Sequence, residues 1–112
     1  MGAAGSCQQD TAVMEAVINA RIDAEMQAYV ADTRLRRGSL EAFARARTRP
    51  KKVTVIFSGG QEHKCWSVTR SNGAYGVIYM PRADYFSLCV ESDFGPLDIG
   101  VHGDAIACHS SV

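Results

Sequence analysis

Apolar residues recur at helical spacing through the first part of this chain and at alternate positions through the second, and the change falls near Lys51. Met14, Ile18, Ile22, Met26 and Val30 form a bulky i, i+4 row, and Ala16, Ala20, Ala24 and Ala28 form a second row of small residues. Glu15, Asn19, Asp23 and Gln27 lie between them. Asp10 or Thr11 supplies an N-cap and Gly38 a C-terminal stop, so one long helix is expected to about Arg36 unless it breaks near Ala31-Asp32. A short second helix follows from the Ser39 cap over Leu40 to Arg47, ended by Pro50. Two apolar rows on the long helix ask for two partners. The bulky row suits a sheet, and the alanine row suits another helix at close approach.

From Lys51 onward, short β-rich runs alternate with turn signals at Ser58-Gly59-Gly60, Ser71-Asn72-Gly73, Pro81 to Asp84, Ser92 to Pro96 and His102-Gly103-Asp104. Six strands are expected. Gly59-Gly60 and Asn72-Gly73 read as two-residue hairpin turns and Pro81 to Asp84 as a four-residue loop; counting outward fixes the register. One face then holds Val53, Val55, Phe57, Trp66, Val68, Tyr75, Val77, Tyr79, Phe86, Leu88 and Val90. A six-residue loop, Glu91 to Pro96, brings Leu97, Ile99 and Val101 onto it, and a turn at Gly103-Asp104 adds Ile106 and Cys108 from the sixth strand. This is the face expected against the long helix.

The predicted fold is α+β: a long N-terminal helix and a short second one packed on a six-stranded antiparallel β-meander, a sheet that can curl toward a half-barrel. Residues 1–9 read as a disordered tail and 10–112 as one domain, helical over 10–49 and a meander over 51–110. A chain of 112 residues, 46% hydrophobic and 21% charged, is an ordinary single globular domain.

The opposite sheet face is mixed, and it gathers the candidate ligand-binding residues Tyr85, Ser87, Cys89, Asp98, His102 and His109. In the counted register Asp98 stands between Cys89 and His109, Ser87 faces Gly100 and Tyr85 faces His102. A carboxylate beside Cys89 disfavours the thiolate, which argues against a cysteine nucleophile and for a small partly buried thiol. Asp98 and His109 together could form a general-base dyad, although a plain polar contact is the commoner meaning of such a pair. His63 and Cys65 share a face without a third ligand, so no metal is expected. Cys65 and Cys89 fall too far apart for a disulfide, and Cys108 is expected in the core.

Net charge is zero, yet eight of the twelve basic residues lie between Arg34 and Lys52, with Glu41 the sole acid among them. Arg36, Arg37, Arg45 and Arg49 are the candidate anion-binding residues, for nucleic acid or another anionic partner. Aromatic residues are sparse there, which favours a solvated basic helix and linker. Arg36-Arg37-Gly38-Ser39 resembles a basophilic kinase target. Met1 to Ser6 fits a loose pattern for lipidation of Gly2, beside Cys7. No strong catalytic, phosphate-binding or metal motif occurs, no cofactor is implied, no apolar run spans a membrane, and the thiol usage suggests the cytoplasm.

The leading expectation is a non-enzymatic binding or interaction module working through the mixed sheet face. Binding of nucleic acid or an anionic partner through residues 34–52 stands second, and an enzyme using Asp98, His109 and His102 third. Partners are a second copy through the long helix, whose ~39 Å exceeds the sheet it covers, and a small-molecule ligand.

Overall fold

A computed structural model of the chain describes residues 2–70 and 74–111, the side chains of residues 2–10 excepted. The Asn72-Gly73 turn, the Met1 that opens the lipidation pattern, and the Cys7 and Asp10 side chains therefore lie outside the described residues. The order is α1 (Gly2–Ala28), α2 (Arg34–Ala46), β1 (Arg47–Ile56), a 3-10 turn (Ser58–Gly60), β2 (Glu62–Thr69), β3 (Tyr75–Met80), β4 (Tyr85–Ser92), β5 (Gly95–Gly103) and α3 (Ala105–Ser110). The α+β class and the antiparallel meander stand, with five strands in place of six. Helix α1 begins at Gly2, where a tail over residues 1–9 was expected.

The long helix does break. It ends at Ala28, and Thr33 opens α2 in extended geometry, its hydroxyl accepting the Arg36 amide at 3.1 Å. An oxygen cap at Thr33 satisfies a donor that an uninterrupted helix would have bonded within itself, so Gly38, the expected terminator, lies inside α2.

Each strand pairs with its sequence neighbour. Two of the counted registers hold throughout the pairs formed: Trp66 faces Tyr79 across β2 and β3, and Tyr75 to Met80 face Val90 to Tyr85 across β3 and β4. Between β4 and β5 the count holds at Val90–Leu97 and Cys89–Asp98, and pairing continues to Ser92–Gly95. Past Asp98 the register shifts by two. Leu88 then faces Val101 and Ser87 faces His102, with Ile99 and Gly100 bulged outward. Gly100 has φ +81°, which a side chain rarely adopts, and Ile99, expected in the core, is 42% exposed.

The β1 register corrects the expectation. Ser58, Gly59 and Gly60 form a three-residue turn, with Gly59 and Gly60 at φ +81° and +77°, closed by the Phe57 amide on the Gln61 carbonyl at 2.7 Å. One extra residue in the turn moves β1 by one position, so Val53 faces Cys65 and Val55 faces His63. Its side chains change faces. Val55 packs with Cys65, Ile78, Met80 and Cys89, with Val53, Phe57 and Tyr85 at the margin, instead of meeting the helices. Lys52 lies on the Trp66 side, its ammonium 5.6 Å from the ring centroid.

These inner residues are buried with no helix among them, so the curl of the sheet itself must cover them. The ends of β1 and β5 meet at one parallel bridge, Ile56 to Leu97. The outer face carries Trp66, Val68, Val77, Tyr79, Phe86 and Leu88, covered by Ile18 and Ile22 of α1, Phe43 of α2 and Ala105, Ile106 and Cys108 of α3. The expected sixth strand is helix α3. It still delivers Ile106 and Cys108 to the core, both about 1% exposed.

The basic segment fastens α1 to β1. Arg47, a fifth exposed, donates to the Asp23 carboxylate at 2.6 Å and to the Asn19 carbonyl and side-chain oxygens at 3.3 Å each. Arg49 reaches Glu15 one turn earlier. The polar row between the two apolar rows of α1 is thus an intramolecular contact.

Candidate functional site

Tyr85, Ser87 and Cys89 alternate along β4 and so share the inner face, and the β5 bulge supplies their partners. Residues four apart on a regular strand stand roughly 13 Å apart. Bulging Ile99 and Gly100 outward instead brings His102 Nε2 to 3.1 Å from both carboxylate oxygens of Asp98. The Ser87 hydroxyl donates to Asp98 Oδ1. Tyr85 stacks on the His102 ring, with centroids 4.3 Å apart and planes 17° from parallel. Asp98 is 8% exposed, Ser87 fully buried and His102 39% exposed. The cluster is a buried carboxylate that accepts a hydroxyl and orients a half-exposed imidazole.

Cys89 lies beside it, opposite Asp98 as counted. Burial first and the Asp98 charge second push its thiol up to about 12. Cys65 rises to about 11 for the same two reasons, and Cys108 to about 11 through burial and the charges of Glu25, Asp104 and Asp98. None is a thiolate at neutral pH. The Ser87 proton points to a carboxylate and not to His102, so this arrangement generates no serine nucleophile. Its chemical capacity is that of an imidazole held by a carboxylate, able to take a proton at its free ring nitrogen.

His109 is elsewhere. The sixth-strand register that set it beside Asp98 is replaced by α3, where it meets Phe43 edge-on at 5.8 Å, and burial lowers its pKa. The expected Asp98/His109 pair is therefore not formed, and His102 takes that place. The expected Ser87–Gly100 pairing is likewise replaced by Ser87–His102. His63 packs edge-on against Phe57 at 5.2 Å, while Cys65 Sγ contacts Met80 Sδ at 3.5 Å. Among the described residues no group of three or more His, Cys, Asp or Glu is placed to hold a metal.

Room on the inner face is small. Its cavity, between Val53, Ser67, Gly76, Ile78, Cys89 and Pro96, measures about 30 Å³, near the share of one water in the liquid. Three of the four candidate arginines are divided among separate partners, while Arg37 is exposed: Arg36 stands 3.9 Å from Asp32, Arg45 stands 3.9 Å from Glu41, and Arg49 is bound to Glu15. The Glu15–Arg49 hydrogen bond lowers the Glu15 pKa and raises that of Arg49.

Sequence reasoning missed Glu25. Its carboxylate accepts the backbone N–H groups of Ala105 at 2.8 Å and Ile106 at 2.7 Å, closing the start of α3 from 80 residues away. Burial, with the Asp104 charge beside it, raises its pKa more than those two bonds lower it. The signal was a lone acid at the edge of the bulky row of α1, which reads equally well as solvated. No helix among the described residues is long and apolar enough to cross a membrane. The chain matches no known protein family, no curated protein and no solved structure at a significant level.

Proposed function

We propose that this chain is a non-enzymatic interaction module that pairs with a second copy of itself through the outward face of α1. One observation carries the reading. Val13 and Val17 are 59% and 43% exposed on the side of α1 opposite Ile18 and Ile22, and Ala20, Ala24 and Ala28 continue the same line, all exposed. Positions 13, 17, 20 and 24 have the alternating four-and-three spacing of a helix-pairing seam. A helix apolar on both sides is normally covered on both.

The seam is bulky in its first half and small in its second, and that asymmetry favours one arrangement. An antiparallel two-fold pair centred between Ala20 and Arg21 sets Val13 and Val17 of one copy on Ala28 and Ala24 of the other. A parallel pair sets valine on valine and leaves alanine facing alanine. The mixed inner face of the sheet supports the reading less, because its own side chains fill it. Three raised thiol pKa values fit a module whose cysteines are packing residues, in a reducing setting such as the cytoplasm.

The test is sedimentation followed by cross-linking with a short bismaleimide in a Cys7→Ser background. Ala20→Cys, beside the two-fold axis, joins to its copy; Val13→Cys, about 22 Å from its own copy at 1.5 Å per residue, does not. A monomeric wild type at tens of micromolar, or equal cross-linking of the two variants, overturns the proposal.

A further inference from the structure

A second surface adjoins that seam and shares Ala24 and Ala28 with it. A cavity of about 740 Å³ opens between the later part of α1, the start of β4 and α3, within the roughly 300–1,000 Å³ of small-molecule sites. Ala24, Ala28, Tyr29 and Val30 give it apolar walls, and five charged side chains line it.

Three of the five already have close partners. Arg21 and Asp84 are paired to each other, and Asp84 also accepts the Tyr79 hydroxyl. Glu25 is bound to the first amides of α3. That bond has a consequence for the fourth. Asp104 occupies the N-cap position of α3, where an aspartate ordinarily accepts an amide two or three residues on, but its side chain makes no capping bond, and Glu25 holds the nearer of those amides, that of Ile106. The fifth, Arg36, makes one long bond to the Val30 carbonyl at 3.4 Å and stands 3.9 Å from Asp32. A carboxylate from the β5–α3 junction and a guanidinium from α2 are thus the least engaged charges around an apolar cavity.

We infer that this cavity binds a zwitterion of short-peptide size, its ammonium on Asp104, its carboxylate on Arg36 and an apolar side chain against Tyr29 and Val30. A guanidinium takes a carboxylate through two parallel bonds, and Arg36 has the free donors to do so. A single free amino acid would leave much of the volume unfilled, whereas a peptide of about three residues extends from one charge toward the other.

The probes are alanyl-leucyl-alanine and its N-acetyl and C-amide forms, titrated into the full chain and followed by amide shifts. The free-ended peptide is expected to saturate shifts at Asp104, Ile106 and Arg36, and each blocked form to bind at least tenfold more weakly. Arg36→Gln removes the preference for a free carboxylate and leaves that for a free ammonium; Asp104→Asn does the reverse. Equal affinity for the three peptides, shifts mapping elsewhere, or no saturation by about 10 mM overturns the inference. The same titration on Ala20→Glu, which breaks the seam and does not line the cavity, gives a Kd no weaker than that of the wild type, so failure of self-pairing and failure of this site are told apart.

Discussion

Replacing Glu25 with alanine withdraws both acceptors from the start of α3 and leaves the amides of Ala105 and Ile106, residues at most 1% exposed, without them. Hydrogen bonds to a charged acceptor contribute about 1.5 kcal/mol each at the low end of their range, or ~3 kcal/mol for two. The raised Glu25 pKa says that burying the carboxylate costs part of this, so the net loss at pH 7 is about 2 kcal/mol. For 112 residues the entropy of unfolding near the midpoint is ~0.24 kcal/mol/K, which converts the loss to about 8 °C in Tm. Asp104 makes the reasoning sharper. Its side chain makes no capping bond while Glu25 is present, so Asp104→Ala alone should change stability by under ~0.5 kcal/mol. With Glu25 gone, Asp104 can turn to the amides it normally would cap, and its removal should then cost ~1 kcal/mol more. Calorimetry of the two single variants and the double variant measures that coupling. Additive losses, or a loss above ~1 kcal/mol for Asp104→Ala alone, would refute the account of how α3 is capped.

The raised Glu25 pKa also sets a sign: its contribution is full below its unfolded pKa and declines as pH rises through the folded one. Denaturant melts should therefore show wild type and Glu25→Ala further apart at pH 4 than at pH 7, and a gap that widens toward pH 7 contradicts the burial argument. Arg47→Ala should cost ~1–2 kcal/mol, because a mostly buried guanidinium loses three acceptors, whereas Arg49→Ala, 82% exposed, should cost under ~0.5 kcal/mol; equal losses in urea melts would show that burial is not what separates them. Cys65, Cys89 and Cys108, raised to about 11, 12 and 11, should react with a thiol reagent at neutral pH only at the rate of unfolding, as read by mass spectrometry across a denaturant series. Fast native labelling of Cys89 would restore the nucleophile reading.

Where a turn left one choice of length, the register could be read from residues. Pro81 to Asp84 admits a single loop, and Tyr75 through Met80 pair across it as counted. Gly59-Gly60 admits two, because Ser58 can join the turn or the strand, and that one residue decides which face Val53, Val55 and Phe57 occupy. Ile106 and Cys108 fit an alternating strand, and six residues are too few to show a 3.6-residue period, so α3 was hidden although its buried residues were not. Tyr85, Ser87, Cys89 and Asp98 could be grouped because alternation alone puts them on one face. The His102–Asp98 bond could not, since it depends on a bulge at Gly100 that shifts pairing by two and so preserves every face. Glu25 and its cavity were out of reach because they join segments far apart in the chain, and local periodicity carries no such information.

The bond from Glu25 to α3 also orders events during synthesis. The meander is built from neighbouring strands and can form as it leaves the ribosome, but Glu25 must wait for amides 80 residues further on. At 5–20 residues per second that interval is about 4–16 s. Phe86 and Leu88, which end up beneath α3, are made only about 1–4 s before Ala105, and until α3 joins them the sheet lacks that part of its cover. A chain stopped before Ala105 and released would therefore keep a sticky surface on display, and such a truncation should raise the load on chaperones that bind incompletely folded polypeptides.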